Sequence, residues 1–457
     1  MTASIRNRTL IRGGIVLSMD PVIGDFARGD VLVEGDKIIA VGGKLEVEDA
    51  EFIEADGMIV MPGLIDAHRH AWQGTLRRVM PNVETLDAYI DATHYSLARF
   101  YRPEDMYLGN RLTALGCLDA GTTTIIDASH NARSAEHSDA SIDAIEDAGL
   151  RALHMPGRPL AGGWAEHWPD DLERLQSDRF ASSDQLVTLG MFSSPDPANW
   201  AVARRLGLPI LTEFLGMMAP MLPGLADAGM LGPDNIFNHC TALPPQAWAM
   251  LRDAGVRVTV DARSDAQYAL GDGIFAYQAA IDHGLRPALG TDLETAYGGD
   301  MFTEMRTAFF LQRAIAQSRR HAGDQAAPTP ATVGDILKAA TINGAHAAGL
   351  ENRTGSLSPG KQADIILIRT TDINVFPTNN VVGTIVQAAD RSNVDTVMVA
   401  GTIRKANGRL LGVDLKKLER EVCHSLEYLF EAAGYEPDIF AANFPALPGE
   451  KPEAWAG

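Results

Sequence analysis

The sequence is poor in cysteine, in net positive charge and in long apolar runs. Its 457 residues include three cysteines, Cys117, Cys240 and Cys423, with none of the short paired spacings of a zinc knuckle, a redox motif or a disulfide framework. Lys and Arg total 39 against 59 Asp and Glu, a formal net charge of −20. That charge disfavours general electrostatic binding to nucleic acid or anionic lipid. We therefore expect a small-molecule substrate, no nucleic acid and no membrane partner.

The sequence also lacks a segment of targeting or membrane-spanning type. The basic N-terminal residues 1–8 lead into Gly13-Gly14 and a short alternating run, without the continuous apolar segment of a signal peptide. No later stretch approaches the roughly 18 apolar residues of a membrane span. Hydrophobic residues at 46% and charged residues at 21% are ordinary globular values. Together with the unpaired cysteines, these features predict a cytoplasmic protein.

The two ends of the chain share a texture of short strands separated by turns. The predicted strands cover residues 9–19, 30–34 and 37–41 near one end, and 363–368, 394–399 and 402–405 near the other. Neither end has enough strands for a stable sheet of its own. We therefore predict one small composite β-sandwich domain made of residues 1–62 plus 355–412.

Between these ends, apolar strands alternate with amphipathic helices, which is typical of parallel βαβ units. The predicted strands include 122–126, 186–191 and 208–214, and the predicted helices include 140–148 and 200–206. The 292 residues of 63–354 match the roughly 250 of an eight-unit barrel with insertions. We predict an α/β fold, a distorted TIM (β/α)8 barrel, followed by a C-terminal helix over 415–432 and a Pro-rich tail within 413–457.

The sharpest motif is His68-Arg69-His70 at the end of a short apolar strand. The two-residue period of a strand places both imidazoles on one face. At the mouth of a barrel this pair can give two nitrogen ligands to one cation, since neutral imidazole suits zinc, iron and similar metals. The alternative is a pair of surface or hydrogen-bonded histidines without a metal.

Three segments, 62–70, 238–240 and 288–292, resemble the amidohydrolase superfamily, especially its cytosine deaminase and triazine hydrolase branch. Residues 355–365 are similar to the segment in which those chains return from the barrel to the small β domain. The resemblance implies a barrel enzyme that is a homodimer or higher homo-oligomer. It also implies that one divalent metal, zinc or else iron or manganese, is held by residues from strands 1, 6 and 8, here His68, His70, His239 and Asp292.

One position departs from the family pattern. Strand 5 of that branch carries His-x-x-Glu, in which histidine binds metal and glutamate moves protons, whereas this chain has Glu213 and Gly216 at those places. Glu213 can still bind a metal through oxygen, but Gly216 cannot move a proton. Metal can therefore be absent altogether, and a replacement proton carrier would be Glu213, His239 or Glu294, of which we rank Glu213 first. The alternative for Glu213 is a buried carboxylate paired with arginine.

Asp292 and His239 each follow a predicted strand at the face where barrel enzymes keep their active sites. Beside a metal that lowers the pKa of water towards about 7, the Asp292 carboxylate can accept a proton. The alternative for Asp292 is a helix N-cap. His239 can bind metal, polarise the substrate or have a purely structural role.

Weaker candidates surround this set. Trp72 and Gln73 can supply a stacking face and an amide to a planar substrate, or can simply fill a loop. His130 follows the strand 123–126 and can reach the cavity or pack as a structural histidine. Asp261 and Ser264 follow the next strand, where the family often has His-x-x-x-Ser, so we expect altered recognition. We treat the remaining histidines as structural or solvated: His94, His137, His154, His167, His283, His321, His346 and His424.

These residues support three hypotheses. The first is metal-dependent hydrolysis of a C–N or related bond in a small, cyclic, nitrogen-containing substrate by activated water. The second is a metal-free lyase, isomerase or cyclase that uses Glu213, His239 and Asp292 as acid–base groups. The third is a binding protein built on an old enzyme, which the polar groups at four strand ends disfavour.

Overall fold

The computed structural model describes residues 8–164, 167–182, 184–436 and 439–440. The strands are β1 Arg8–Val16, β2 Phe26–Glu34, β3 Lys37–Gly42, β4 Glu51–Glu54, β5 Met58–Pro62, β6 Leu64–Arg69, β7 Thr122–Ser129, β8 Arg151–Pro156, β9 Val187–Leu189, β10 Met191–Phe192, β11 Ile210–Phe214, β12 Asn235–His239, β13 Arg257–Val260, β14 Ala288–Leu289, β15 Ile365–Arg369, β16 Val394–Val399, β17 Thr402–Ala406 and β18 Arg409–Leu410.

The helices lie between and after these strands. They are α1 Leu86–Ile90, α2 Pro103–Asp119, α3 Ala135–Ala148, α4 Asp171–Asp178, α5 Pro197–Arg205, α6 Leu222–Asp227, α7 Pro245–Ala254, α8 Ala262–Gln267, α9 Tyr277–Asp282, α10 Met301–His321, α11 Val333–Ala339, α12 Ile342–Ala347, α13 Val381–Gly383 and α14 Leu415–Ala433. None of the helices in the described ranges is long and apolar enough to cross a membrane.

Strands from the two ends of the chain form one nine-stranded sheet. Its order is β18-β17-β16-β15-β5-β1-β2-β3, with β4 paired to β1. The junction is the antiparallel pair β5 and β15, in register from Pro62 opposite Ile365 to Met58 opposite Arg369. These strands carry alternating apolar residues that pack in a separate buried cluster. The exact domain boundaries stay a prediction, and the predicted tail after residue 440 lies outside the described residues.

The middle of the chain confirms the predicted α/β barrel. Strands β6 to β9 form one parallel sheet and β10 to β14 another. β9 and β10 are consecutive pieces of one strand position, interrupted at Gly190, where a side chain would meet Met155 and the carbonyl of Pro209. The ring closes between β6 and the segment that follows β14, because Arg69 and Asp292 form a parallel bridge.

A long connection, residues 71–101, leaves β6 and covers the mouth of the barrel. Its apolar side chains pack with those that follow β13 and β14 in one buried cluster: Met80, Val83, Tyr89, Ala92, Tyr268, Leu270, Leu293 and Ala296. Burial of this apolar surface holds the connection against the barrel end. The connection therefore covers the side of the barrel at which the carboxyl ends of the strands lie.

Candidate metal centre

The two histidines of the His-x-His motif meet at the centre of the barrel mouth. His68 is the fifth residue of β6 and His70 directly follows the strand. Both are buried, and their ring centroids lie 4.8 Å apart. Nδ1 of His70 lies 2.8 Å from the carbonyl oxygen of Ala128, to which it can only donate. This bond fixes Nδ1 as a protonated nitrogen and turns Nε2 towards the mouth.

Two carboxylates from distant strands contact these imidazoles. Oε1 of Glu213 lies 3.0 Å from Nε2 of His70 and 3.6 Å from Nε2 of His68. Oδ1 of Asp292 lies 3.1 Å and 3.4 Å from the same two nitrogens. Asp292 reaches this position because its backbone N–H donates to the His68 carbonyl and its own carbonyl accepts from the His70 N–H.

His239 approaches from the end of β12, with its ring centroid 5.6 Å from that of His68. Its Nδ1 lies 2.8 Å from Oδ1 of Asp265 and 3.3 Å from Oδ2 of Asp261. A carboxylate behind Nδ1 orients the ring and leaves Nε2 as the free nitrogen. Burial lowers the pKa of His239, but the neighbouring carboxylates have the larger combined effect and raise it to about 10.

His239 and Asp292 both have left-handed backbone conformations, with φ of 64° at each. Such a conformation is uncommon outside glycine and costs on the order of 1–3 kcal/mol. It occurs here at the point where each strand ends and the chain turns away. The two strained residues direct their side chains into the same centre, and backbone strain of this kind is typical of functional sites.

The donor set fits a divalent metal. The side chains form two overlapping groups of possible ligands, His68 with His70 and Glu213, and His68 with His239 and Asp292. Ligand atoms around one tetrahedral zinc at about 2.0–2.2 Å lie about 3.3 Å apart, close to the separations seen here. Among the described residues, neither nitrogen of the buried His68 nor Oδ1 of Asp292 has a hydrogen-bond partner. Buried polar atoms normally have one.

The histidines and carboxylates of this set stabilise each other's charged forms. Burial by itself favours the neutral form of each group, yet the contacts with His68 and His70 lower the pKa of Glu213 and of Asp292 well below the usual range. The same contacts raise the pKa of His70 well above its usual value. Both carboxylates are therefore anionic and available as ligands. The Glu213 side chain is 34% exposed, whereas that of Asp292 is 5% exposed.

Position 216 has no space for a side chain in this fold. A Cβ on Gly216 would lie 2.5 Å from the carbonyl oxygen of Ala242 and 3.0 Å from that of Thr241. The Gly216 N–H also donates to the Thr241 carbonyl at 2.8 Å. A glutamate therefore cannot project from this position without a shift of the backbone. That the strand-5 position lacks the His-x-x-Glu of the family stays a prediction.

Glu294, one of the replacement proton carriers considered above, is occupied elsewhere. Its Oε2 lies 2.7 Å from a guanidinium nitrogen of Arg69 and 3.0 Å from one of Arg77. The positive charges of the two arginines outweigh burial and lower the pKa of Glu294. Glu294 is therefore held as a paired anion beside the site.

The weaker candidates lie around the ligand set. Trp72 and Gln73 are fully buried at the start of the 71–101 connection, and Gln73 donates to the Tyr89 hydroxyl at 2.5 Å. The His130 ring lies 4.3 Å from that of His70. Asp261 is fully buried behind His239, and neither of its oxygens has a hydrogen-bond partner in the described part of the chain. Their predicted roles towards substrate stay predictions.

Ser264 acts on the ligand set directly. Its hydroxyl donates to Oδ2 of Asp292. Because this bond occupies Oδ2, it leaves Oδ1 as the oxygen that faces His68 and His70.

Sequence reasoning missed two residues of this region. Asp265 supplies the carboxylate nearest to Nδ1 of His239. Its spacing of four from Asp261 would place both side chains on one face of a helix, which is the signal that could have found it. The sequence predicts a structural or solvated role for His94. Its Nε2 lies 3.3 Å from Nε2 of His130 and also 3.3 Å from the hydroxyl of Tyr89. No local pattern marks His94, because it reaches the mouth only through the fold of the 71–101 connection.

Known proteins resemble the chain along most of its length. Residues 217–404 match the Amidohydrolase family. The 5'-deoxyadenosine deaminase of Methanosarcina mazei is 28% identical over 448 residues, which cover 92% of this chain and 98% of that protein. The 5-methylthioadenosine/S-adenosylhomocysteine deaminase of Desulforudis audaxviator is 29% identical over 453 residues, covering 93% and 100%.

Solved structures show the same fold. An adenosine deaminase from Xanthomonas campestris with bound zinc superposes with a TM-score of 0.78 at 22% identity, covering 93% of this chain and 98% of that one. The atrazine chlorohydrolase of Arthrobacter aurescens complexed with zinc gives 0.76 at 20% identity, covering 92% and 100%. The chain therefore contains an Amidohydrolase family domain over residues 217–404, and its deaminase relatives are consistent with the predicted amidohydrolase superfamily.

Proposed function

We propose that the protein is a metal-dependent hydrolase that breaks a C–N bond of a small, cyclic, nitrogen-containing substrate. The observation that carries this proposal is the convergence of His68, His70, Glu213 and Asp292, with ligand atoms 3.0–3.6 Å apart. The two relatives named above, which cover 92% and 93% of this chain, are a 5'-deoxyadenosine deaminase and a 5-methylthioadenosine/S-adenosylhomocysteine deaminase. Purine nucleosides altered at the 5' carbon are therefore the first substrate class to test.

We propose zinc as the metal, with His68, His70, His239 and Asp292 as ligands and Glu213 completing the site. Imidazole nitrogen and carboxylate oxygen are common zinc ligands, and iron and manganese accept the same donors. The structures of the adenosine deaminase and of the atrazine chlorohydrolase named above both contain zinc. A bound divalent metal lowers the pKa of water and so supplies a nucleophile near neutral pH.

The side chains divide the proton transfers between them. Asp292 accepts a proton at Oδ1, because its Oδ2 is occupied by the hydroxyl of Ser264. Glu213 is the more exposed carboxylate and lies beside the same histidines. As an anion it would first take up a proton from the attacking water and then deliver that proton to the departing nitrogen. This assignment gives Glu213 the work that Gly216 cannot do. A positioned acid or base of this kind is worth about 10² to 10⁴ in rate.

Trp72, Gln73, His130 and Asp261 are proposed to shape the substrate site. Trp72 and His130 have ring centroids 5.7 Å apart and form part of an aromatic wall next to His70. A planar heterocycle that enters the mouth would meet this wall on one side and Glu213 on the other. Oδ2 of Asp261 lies 3.3 Å from Nδ1 of His239, so Asp261 would act on the substrate through this imidazole.

We also propose a cellular location and an oligomeric state for the protein. We infer a cytoplasmic protein, which the three free thiols of Cys117, Cys240 and Cys423 support. We also propose a homodimer or higher homo-oligomer, as the family resemblance implies. Light scattering of the full chain after size-exclusion chromatography measures the mass, and a mass of one chain at micromolar concentration would overturn this part.

The decisive experiment measures metal content and turnover on the same preparation. Protein from cells grown with zinc, iron and manganese is analysed for metal. It is then assayed for ammonia release from 5'-deoxyadenosine, 5-methylthioadenosine and S-adenosylhomocysteine, and for chloride release from a chlorotriazine. We expect about one zinc per chain and turnover of a purine nucleoside, both lost in His68→Ala. Full turnover after exhaustive chelation would instead favour a metal-free lyase, isomerase or cyclase that uses Glu213, His239 and Asp292.

A further inference from the structure

We propose that Arg69 and Glu294 are positioning residues that hold His68, His70 and Asp292 together as one preformed ligand set. The inference rests on the proposed function, because a metal is what such a set would bind. Arg69 stands between the two histidines in sequence, and Glu294 lies two residues after Asp292. Their side chains meet outside the ring of ligands, at 2.7 Å.

The Arg69 guanidinium is a fully buried junction between β6 and the segment after β14. Successive residues of a strand point to opposite faces, so Arg69 points away from the imidazoles on either side of it. Its side chain is 1% exposed. One of its terminal nitrogens donates to Oγ1 of Thr291 at 2.5 Å, to Oδ2 of Asp66 at 3.2 Å and to the carbonyl of Gly299 at 2.9 Å.

Glu294 completes the junction from the other side. Besides Arg69, it accepts two hydrogen bonds from Arg77 at 3.0 and 3.1 Å. Its other oxygen accepts from the Gly299 N–H at 3.2 Å. Arg77 belongs to the 71–101 connection, and the N–H of Arg78 donates to the Glu294 carbonyl at 2.8 Å. The carboxylate therefore ties together a barrel strand, a loop and the cover of the mouth.

Each of these bonds lies one or two residues from a proposed ligand. Thr291, which receives the Arg69 bond, directly precedes Asp292, and Asp66 accepts from both the N–H and the hydroxyl of Thr291. A displacement of the guanidinium would shift β6 and the Asp292 backbone relative to each other. His68, His70 and Asp292 lie on those two pieces of chain, so the spacing of their ligand atoms depends on the junction.

A buried ion pair is weak evidence for stability, because desolvation offsets much of the Coulombic attraction. Such pairs can instead fix one arrangement among several, and partners that orient ligands typically change metal affinity by about 10–100-fold when removed. The Arg69 and Glu294 pair fits this second role, since its bonds converge on the ligand-bearing segments from three directions.

The chain offers a matched control in Arg151 and Asp364. This pair is equally buried, with 1% and 0% side-chain exposure, and is joined by two hydrogen bonds of 2.6 and 2.9 Å. Arg151 begins β8 and Asp364 directly precedes β15, so the pair lies at the amino end of the barrel strands. Loss of this pair should weaken the fold without reaching the ligand set.

The test compares Glu294→Gln with Asp364→Asn in the full chain. Zinc affinity is measured by competition with a chromophoric chelator, and thermal unfolding is followed by circular dichroism. We expect zinc affinity to fall by about 10–100-fold in Glu294→Gln and to stay within about threefold of wild type in Asp364→Asn. Cobalt substitution adds a second readout, since the visible absorption bands should change shape only in Glu294→Gln.

Thr291→Val keeps the experiment decisive if Glu294→Gln fails to fold. It removes the Thr291 hydroxyl that binds Arg69 and leaves both charges paired, so a smaller loss of zinc affinity in the same direction is expected. Equal zinc affinities and equal cobalt spectra in all the folded variants would overturn the inference alone. A wild-type chain that binds no zinc would overturn the proposed function, and the positioning role with it.

Discussion

The Glu213 carboxylate lies 3.0 Å from Nε2 of His70, although the two residues come from opposite sides of the barrel. Three residues further along the chain, Gly216 packs against the carbonyl of Ala242. The strand-5 side of the site therefore offers a single acidic side chain in this position. Under the proposed function Glu213 combines the roles of a metal ligand and of a proton carrier, and the two roles can be measured separately.

Replacement of Glu213 should separate its two roles. In Glu213→Gln the amide cannot exchange a proton, so we expect kcat to fall by about 10² to 10⁴. Glu213→His replaces the carboxylate with an imidazole, a common zinc ligand, and should keep the metal while turnover stays low. Zinc content and kcat are measured on both proteins. Wild-type turnover in Glu213→His would show that the carboxylate carries no proton.

Removal of the metal should abolish turnover and lower stability together. A ligand that binds only the native state stabilises it by RT ln(1 + [L]/Kd), about 2.7 kcal/mol at a hundredfold excess over Kd. Dialysis against a chelator should therefore lower the midpoint of thermal unfolding, and added zinc should restore both properties. A midpoint that is the same with and without zinc would contradict a centre built from His68, His70 and Asp292.

The two carboxylates behind His239 should differ in their effect on zinc binding. Asp265 lies 2.8 Å from Nδ1 and Asp261 lies 3.3 Å from it. We expect Asp265→Asn to weaken zinc binding by about 10–100-fold and Asp261→Asn to weaken it less. Chelator competition on both variants checks the order. The reverse order would mean that Asp261 is the group that orients the imidazole.

Gly216→Ala should destabilise the protein because its Cβ would meet the carbonyl of Ala242 at 2.5 Å. Forced overpacking of this kind typically costs about 1–3 kcal/mol. The matched control is Gly224→Ala in α6, where a Cβ would meet no atom of the described residues within 4 Å. That change should be neutral or stabilising by about 0.5–1 kcal/mol. Urea denaturation compares the two, and equal stabilities would show that the 216 backbone yields easily.

The contact between the two chain ends should depend on pH. The hydrogen bond from Ser358 to Asp20, at 2.5 Å, lowers the pKa of this carboxyl below 3.8, and the N–H groups of Val22 and Ile23 add to the effect. A lowered folded-state pKa gives stability that is present above the unfolded-state value and is lost as pH falls through the folded-state value.

Asp20→Asn should therefore lose stability relative to wild type at neutral pH, and the difference should shrink below about pH 3.8. The free energy of unfolding in urea, measured from pH 7 to pH 3, tests this. Ser358→Ala is the control that weakens the same bond without removing a charge. A difference between wild type and Asp20→Asn that does not change with pH would exclude the contact as a source of pH-dependent stability.

The sequence by itself was sufficient for features that depend on neighbouring residues. Alternation within β6 put His68 and His70 on one face, because the strand period is local. The short strands near the two chain ends and the alternation of strands and helices between residues 63 and 354 predicted the sheet and the barrel. The charge of −20 is likewise a property of composition. Motif spacing also brought out His239 and Asp292 before their positions were known.

Only the tertiary structure decided which side chains share the mouth and which are taken up elsewhere. Glu294 followed Asp292 and looked available, but it is paired with Arg69 and Arg77. His94 and Asp265 reach the site because an irregular connection and a short helix pack over the barrel end. Hydrophobic burial drives that packing, and it is non-directional. Contacts between residues far apart in sequence therefore leave no periodic signal from which they can be read.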